Sequence, residues 1–168
     1  MPKFQTKTWR EELFFEKGCD VDDGFRRISG LLADMDEYLD GVPGLDSGGM
    51  ADLRLVCDEI GSNVVRHSSP VRATRLVVEL EAAGDCVRLR IMDNGSEFNP
   101  FTQAKPYLGG NLKKRRVGGL GLYFIGNLFP LGKYTRRKDM NVTEVEYCMG
   151  EGGKERMRRS GGLPETET

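Results

Sequence analysis

Asp52-Leu-Arg-Leu-Val-Cys-Asp-Glu59-Ile-Gly-Ser-Asn63-Val-Val-Arg-His67 is the stretch on which the reading of this chain turns. Leu53, Val56, Ile60 and Val64 recur at helical spacing and define a face that packs inward. Glu59, Asn63 and His67 are spaced i, i+4, i+8, so each is displaced by only about 40° from the last around a helix. They form a polar row beside the apolar face. A carboxylate and an amide at the margin of a core need a partner.

Outward from this helix, placed at about Met50 to Arg66, Pro70 supplies the stop. Upstream, Gly41-Val-Pro-Gly44 and Ser47-Gly-Gly49 read as breakers. Before them Phe25, Ile28, Leu31, Leu32, Met35 and Leu39 mark an amphipathic helix from about Asp22 to Tyr38, with Asp20 to Asp23 favouring its N-terminus. Glu11 to Lys17 reads as a short first strand, and residues 1–10 as a flexible N-terminus.

Downstream, Arg75 to Glu81 and Cys86 to Asp93 are two strand-like runs joined by Ala83-Gly84-Asp85 into a hairpin. Val87, Leu89 and Ile91 share one face, and a period of two carries Asp93 onto it. Asp93-Asn94-Gly95 reads equally as a plain turn. Residues 96–118 show no periodicity and contain Lys113-Lys-Arg-Arg116, the pattern of a functional loop or of a solvated basic linker. Gly118-Gly119-Leu120-Gly121 opens a short apolar helix, Leu122 to Phe129. A glycine-rich helix start is an anion site or a hinge. A last pair of strands, Leu131 to Lys138 and Val142 to Met149, turns at Asp139-Met140-Asn141. There Thr143 shares the inward face with Val145 and Tyr147, where a threonine also commonly bonds nearby backbone. From Gly150 onward the composition is that of a disordered tail.

At 168 residues, with 38% apolar and 30% charged residues, the sequence fits one soluble domain over 11–149. A formal net charge of −1 gives no general electrostatic case for nucleic acid or membrane binding. No apolar run approaches the roughly 20 residues of a membrane span and no signal peptide is evident, so a cytoplasmic protein is expected. Cys19, Cys57, Cys86 and Cys148 are scattered without a Cys-x-x-Cys pair, which favours reduced thiols in packed positions.

The order of these pieces resembles the Bergerat (GHKL) ATP-binding fold shared by gyrase, heat-shock chaperones, sensor histidine kinases and mismatch-repair ATPases. That order runs from a Glu-x3-Asn-x3-His helix to a hairpin ending in Asp-x-Gly, a lid-like loop, a Gly-Gly-x-Gly-Leu helix start and a strand with an inward threonine. Within that family the chain is most similar to stand-alone bacterial anti-sigma factors that are serine/threonine protein kinases, since it ends just after the last strand. The resemblance implies an α/β two-layer sandwich, with a mixed, mostly antiparallel sheet and helices at about 22–40, 50–67 and 119–129 on one face. It implies that ATP and Mg2+ are the cofactors, with Asn63 as the Mg2+ ligand and Glu59 as the general base. It further implies that Asp93, Gly95 and Thr143 receive adenine, and that Gly119, Gly121 and Leu122 offer backbone N–H groups to the phosphates beneath a lid at 96–118. His67 is given no catalytic role. Two departures stand out: Asn99 before Pro100, and Leu128-Phe129-Pro130 at the end of the short helix, positions where relatives often carry acidic residues.

The function implied is phosphorylation of a STAS-domain anti-anti-sigma partner within a partner switch that releases a sigma factor or another regulator. A homodimer is implied with it. The alternative is a nucleotide-dependent regulatory binding module without phosphotransfer, and retention of Glu59 beside Asn63 argues against that alternative.

Overall fold

The computed structural model describes residues 6–102 and 119–150. The chain runs β1 (Lys7–Phe15), α1 (Val21–Asp40), α2 (Ser47–Asn63), a π turn (Val64–Ser68), β2 (Thr74–Ala83), β3 (Cys86–Asp93), a 3-10 turn (Pro100–Thr102), α3 (Gly119–Leu128), β4 (Lys133–Arg137) and β5 (Met140–Cys148). The five strands form one sheet in the order β1-β2-β3-β5-β4. All four pairings are antiparallel, so no parallel pair enters the sheet among the described residues.

α1 and α2 each start where a side chain can satisfy their free N–H groups. Asp20 accepts from the Asp23 N–H at 2.9 Å, and Asp46 from the Gly49 N–H at 2.7 Å. Ser47-Gly48-Gly49, expected to break the chain, is therefore the first turn of α2. The Asp46 cap compensates for the poor helix propensity of the glycines. On α1, Ile28, Leu31, Leu32, Met35 and Leu39 are buried; on α2, Leu53, Val56 and Ile60 are buried, followed by Val64. Burial of each such side chain stabilises the fold by about 1.5–3 kcal/mol relative to exposure. They meet Phe15, Leu76, Val78, Leu80, Val87, Leu89, Ile91, Val145 and Tyr147, the inward residues of the sheet.

β1 begins at Lys7, ahead of the expected Glu11, so Lys7 to Arg10 belong to the sheet rather than to a loose end. Trp9 packs beside Tyr38, with ring centroids 6.3 Å apart, and the Tyr38 hydroxyl donates to the Lys7 carbonyl at 2.6 Å. Both contacts tie the start of the strand to α1. The expected tail from 151 and most of the expected lid, including Lys113 to Arg116, lie outside the described residues.

The outer face of the sheet carries charge in rows. Arg10, Glu79, Arg90, Glu144 and Lys133 stand opposite one another across all five strands, and Glu81, Arg88 and Glu146 form a second row. Arg90 bridges Glu79 at 3.6 Å and Glu144 at 2.7 Å, and Arg88 bridges Glu81 at 3.8 Å and Glu146 at 3.0 Å. Opposite charges on directly opposed strand positions support the register. Their cost in solvation is small because the face is open to water.

Cys86 and Cys148 are the last opposed pair of β3 and β5 and are joined by a disulfide, with their Cα atoms 4.1 Å apart. This corrects the expectation of four reduced thiols. Their sequence separation of 62 hid a pairing that the sheet register makes direct. Cys19 and Cys57 are free, and burial pushes the Cys57 thiol up to about 12, which leaves it unreactive at neutral pH.

Candidate functional site

The inner face of the sheet is apolar except at one end. There β3 finishes and β5 begins, and three polar side chains, Asp93, Asn141 and Thr143, are 6%, 3% and 4% exposed. Asp93 stands opposite Asn141, and Ile91 opposite Thr143. The period of two that carries Val87, Leu89 and Ile91 inward also carries Asp93, as the sequence pattern indicates.

Asp93 Oδ1 accepts from the Gly95 N–H at 2.8 Å and from Asn141 Nδ2 at 2.9 Å. Oδ2 has no hydrogen-bond partner among the described residues. One oxygen is thereby fixed and the other is left for a ligand. Burial raises the Asp93 pKa, against the lowering effects of the Asn141 and Gly95 hydrogen bonds and of the Arg136 charge.

Asn141 is fully occupied. Its Nδ2 also donates to the Ser96 carbonyl at 2.8 Å, and its Oδ1 accepts from the Tyr134 hydroxyl and from Arg136 Nη1, both at 2.8 Å. Arg136 Nη1 further donates to the Gly95 carbonyl at 3.0 Å. The β4–β5 hairpin thus clamps the loop after β3 and sets the direction of Asp93. The Thr143 hydroxyl makes no hydrogen bond among the described residues, unlike a threonine that merely satisfies backbone.

α2 and its π turn touch this corner and a second one. At the far end, the buried Ser68 Oγ accepts from the Ser96 N–H at 3.3 Å, and a Cβ on Gly95 would collide with that same oxygen. In the middle of α2, a Cβ on Gly121 would collide with the Glu59 carboxylate. Only glycine at these two positions admits the approach. Glu59 is half-buried, and burial, followed by the nearby Asp58 charge, raises its pKa, with Arg66 opposing. It makes no hydrogen bond or ion pair among the described residues.

Asn63 lies along the helix between these two contacts. Its Nδ2 is buried with no hydrogen-bond partner, and its Oδ1 has none among the described residues. Which end of the amide is oxygen is fixed only by hydrogen-bond partners, and here neither end has one. The amide can turn its oxygen toward a cation without breaking anything. An unpaired buried amide of this kind is costly to the fold and fits a ligand-binding position. Mg2+ accepts one amide oxygen together with phosphate oxygens and water.

Gly119 is the first residue of α3, and Leu122, in its first turn, is buried with Ile125 and Phe129 against α2 and the sheet. The backbone N–H groups of this first turn are those an α-helix leaves unpaired. His67, expected in one row with Glu59 and Asn63, leaves that row. The Ser69 N–H bonds the Val64 carbonyl, five residues back, at 3.0 Å, and the wider π turn rotates His67 out to solvent.

The structure brings Glu59 and Gly121 together at one corner, with Asn63 one helical turn further along α2, and Asp93 and Gly95 together at the other, with Thr143 on the neighbouring strand. Ser68, Tyr134, Arg136 and Asn141 support the second corner and are not evident in the sequence reading. The period of two that turns Thr143 inward reaches Asn141 only once β5 is known to start at Met140.

The model of the histidine kinase-like ATPase domain matches residues 26–147, which span every helix and strand from the first turn and a half of α1 onward except β1. The chain belongs to that family. Among curated relatives it is similar to the serine-protein kinase RsbW of Listeria innocua and to that of Listeria monocytogenes serovar 1/2a. Each is 29% identical over 101 residues, covering 57% of this chain and 64% of the relative. The alignment therefore spans somewhat less than two thirds of the relatives' length.

Proposed function

We propose that this protein is an ATP-dependent serine/threonine protein kinase whose substrate is a STAS-domain anti-anti-sigma factor. The observation that carries the reading is the order along α2. Asn63, with neither end of its amide partnered, lies between Glu59, packed on Gly121, and Ser68, packed on Gly95. That the relatives are serine-protein kinases by name supports the same reading.

In this proposal Asn63 holds Mg2+ through its amide oxygen. Asp93 accepts the adenine amino group on Oδ2, Gly95 clears the approach, and Thr143 adds its hydroxyl. Gly119, Gly121 and Leu122 present N–H groups to the phosphates, and residues 96–118 form the lid. Bound Mg–ATP supplies the γ-phosphoryl group and the charge neutralisation that its transfer needs. Glu59 takes the proton from the serine or threonine hydroxyl of the partner. Its raised pKa makes the ionised carboxylate a stronger base than an exposed glutamate. The protein works as a cytoplasmic homodimer, and the unphosphorylated partner competes for it and releases a sigma factor or another regulator.

Glu59→Gln tests this. The variant should bind Mg–ATP as the parent does, while transfer of labelled phosphate to a STAS partner falls about 10²–10⁴-fold. An unmutated protein that binds ATP yet labels no such partner would establish the regulatory binding module instead. Absence of saturable ATP binding would remove both.

A further inference from the structure

The disulfide pair sits on the outer face of the sheet, away from the helices and the nucleotide corner. Glu146 precedes Cys148 by two positions on β5, so its side chain rises from the same face. The two Sγ atoms and a Glu146 carboxylate oxygen all lie within 4.8 Å of one another. Arg88, directly opposite Glu146, holds Oε2 at 3.0 Å, while Oε1 faces the Cys148 sulfur at 3.8 Å. The carboxylate is thus already oriented by a neighbour, as metal-binding carboxylates commonly are. Two sulfurs and one carboxylate oxygen on paired strands are donors that Zn2+ accepts, with a water completing four-coordination.

We propose that Cys86, Cys148 and Glu146 form a redox-gated site for a divalent cation of the zinc class, available when the Cys86–Cys148 bond is reduced and abolished when it forms. A dithiol reductant gives two electrons and two protons to the disulfide and becomes a disulfide itself, leaving two protein thiols. Binding of the cation then releases those two protons and makes two metal–sulfur bonds and one metal–oxygen bond. In the other direction a hydroperoxide takes two electrons from the two thiolates. With two protons it leaves as an alcohol and water, the S–S bond forms, and the cation is expelled. The same sulfurs serve both states, so the states exclude one another.

Little rearrangement is required. Rotation about a Cα–Cβ bond opens the sulfurs to the roughly 3.8 Å that two 2.3 Å bonds at a tetrahedral angle need. The Arg88 guanidinium offsets the net negative charge of two thiolates and a carboxylate around one dication. A cavity of about 610 Å³ borders Arg88, Lys133, Glu146 and Cys148, so two of the three donors stand at its wall. Cys19 and Cys57 lie outside this cluster.

The test uses the full chain, reduced with a dithiol, freed of it without air, and titrated with Co2+ as a coloured substitute for Zn2+. One equivalent should give a thiolate-to-metal charge-transfer band that Zn2+ abolishes. The oxidised protein, Cys86→Ser and Cys148→Ser should lack the band, Glu146→Gln should weaken binding by at least about tenfold, and Cys19→Ser should leave it intact. Far-ultraviolet circular dichroism establishes that each variant is folded. The proposal is overturned if the reduced parent gives no band, if folded Cys86→Ser retains it, or if Glu146→Gln binds as tightly as the parent.

Discussion

Asp93 commits one carboxylate oxygen to the fold and leaves the other without a hydrogen-bond partner among the described residues, the oxygen proposed to meet adenine. Asp93→Asn keeps an acceptor for Gly95 and Asn141 but replaces the free oxygen with an NH2 that faces another donor, the adenine amino group. ATP affinity should fall by about 1–3 kcal/mol, roughly 5- to 150-fold, and calorimetric titration giving an unchanged affinity would remove Asp93 from the site. The same substitution affects stability with a definite sign. Burial raises the folded-state pKa of Asp93, so the folded protein holds this proton more tightly than the unfolded chain does. That stabilisation is complete below the ordinary carboxylate range and is lost as pH rises through the raised value. At neutral pH the asparagine variant should therefore melt at or above the parent temperature, with the difference shrinking in acid. Melting curves across pH decide this. At this scale the sequence revealed Asp93 and Thr143 because strand alternation depends only on local spacing. It concealed Asn141, since an Asp-Met-Asn run reads as a turn until the partner strand shows that β5 starts at Met140. It concealed the Cys86–Cys148 bond for a related reason: register between β3 and β5 is set by a crossover, not by neighbours in the chain.

Among the elements, α2 governs the site, and its contact with α3 is the tightest constraint on it. Gly121→Ala would place a methyl group against the Glu59 carboxylate, so either α3 shifts or Glu59 swings away. Overpacking of this kind costs about 1–3 kcal/mol. Thermal unfolding should show that loss, and phosphate transfer should fall more than ATP affinity does, because the proposed base is the group displaced. Gly126, with open space around it, offers the control: Gly126→Ala should reproduce neither effect. The row from Glu59 to Asn63 was legible because four residues make nearly one helical turn. Straight helical spacing puts His67 in the same row because nothing in Val64-Val-Arg-His-Ser68 announces the π turn, on which Val64, Val65 and Ser68 are the buried residues. The N-terminal end of β1 is hard to see in the sequence because Lys7, Thr8 and Arg10 are exposed, so the alternation there is carried by Trp9 alone.

At the scale of the whole molecule, no layer among the described residues covers the outer sheet face, and that face is made wettable with Arg and Glu. Helical and strand periodicities marked most of the elements, and the family resemblance supplied their arrangement in two layers. They said nothing of the outer charge rows, which exist only once the strands are ordered. Those rows alternate in sign across the sheet, and the chain as a whole has a net charge of −1. Alternating charges a few ångströms apart cancel within about one Debye length, roughly 8–10 Å at physiological salt. A partner diffusing toward this face therefore meets almost no long-range field. Its association should proceed at the unsteered rate of about 10⁵–10⁶ M⁻¹s⁻¹ and change little with ionic strength, whereas a stopped-flow rate that falls steeply with added salt would place the encounter on some other surface.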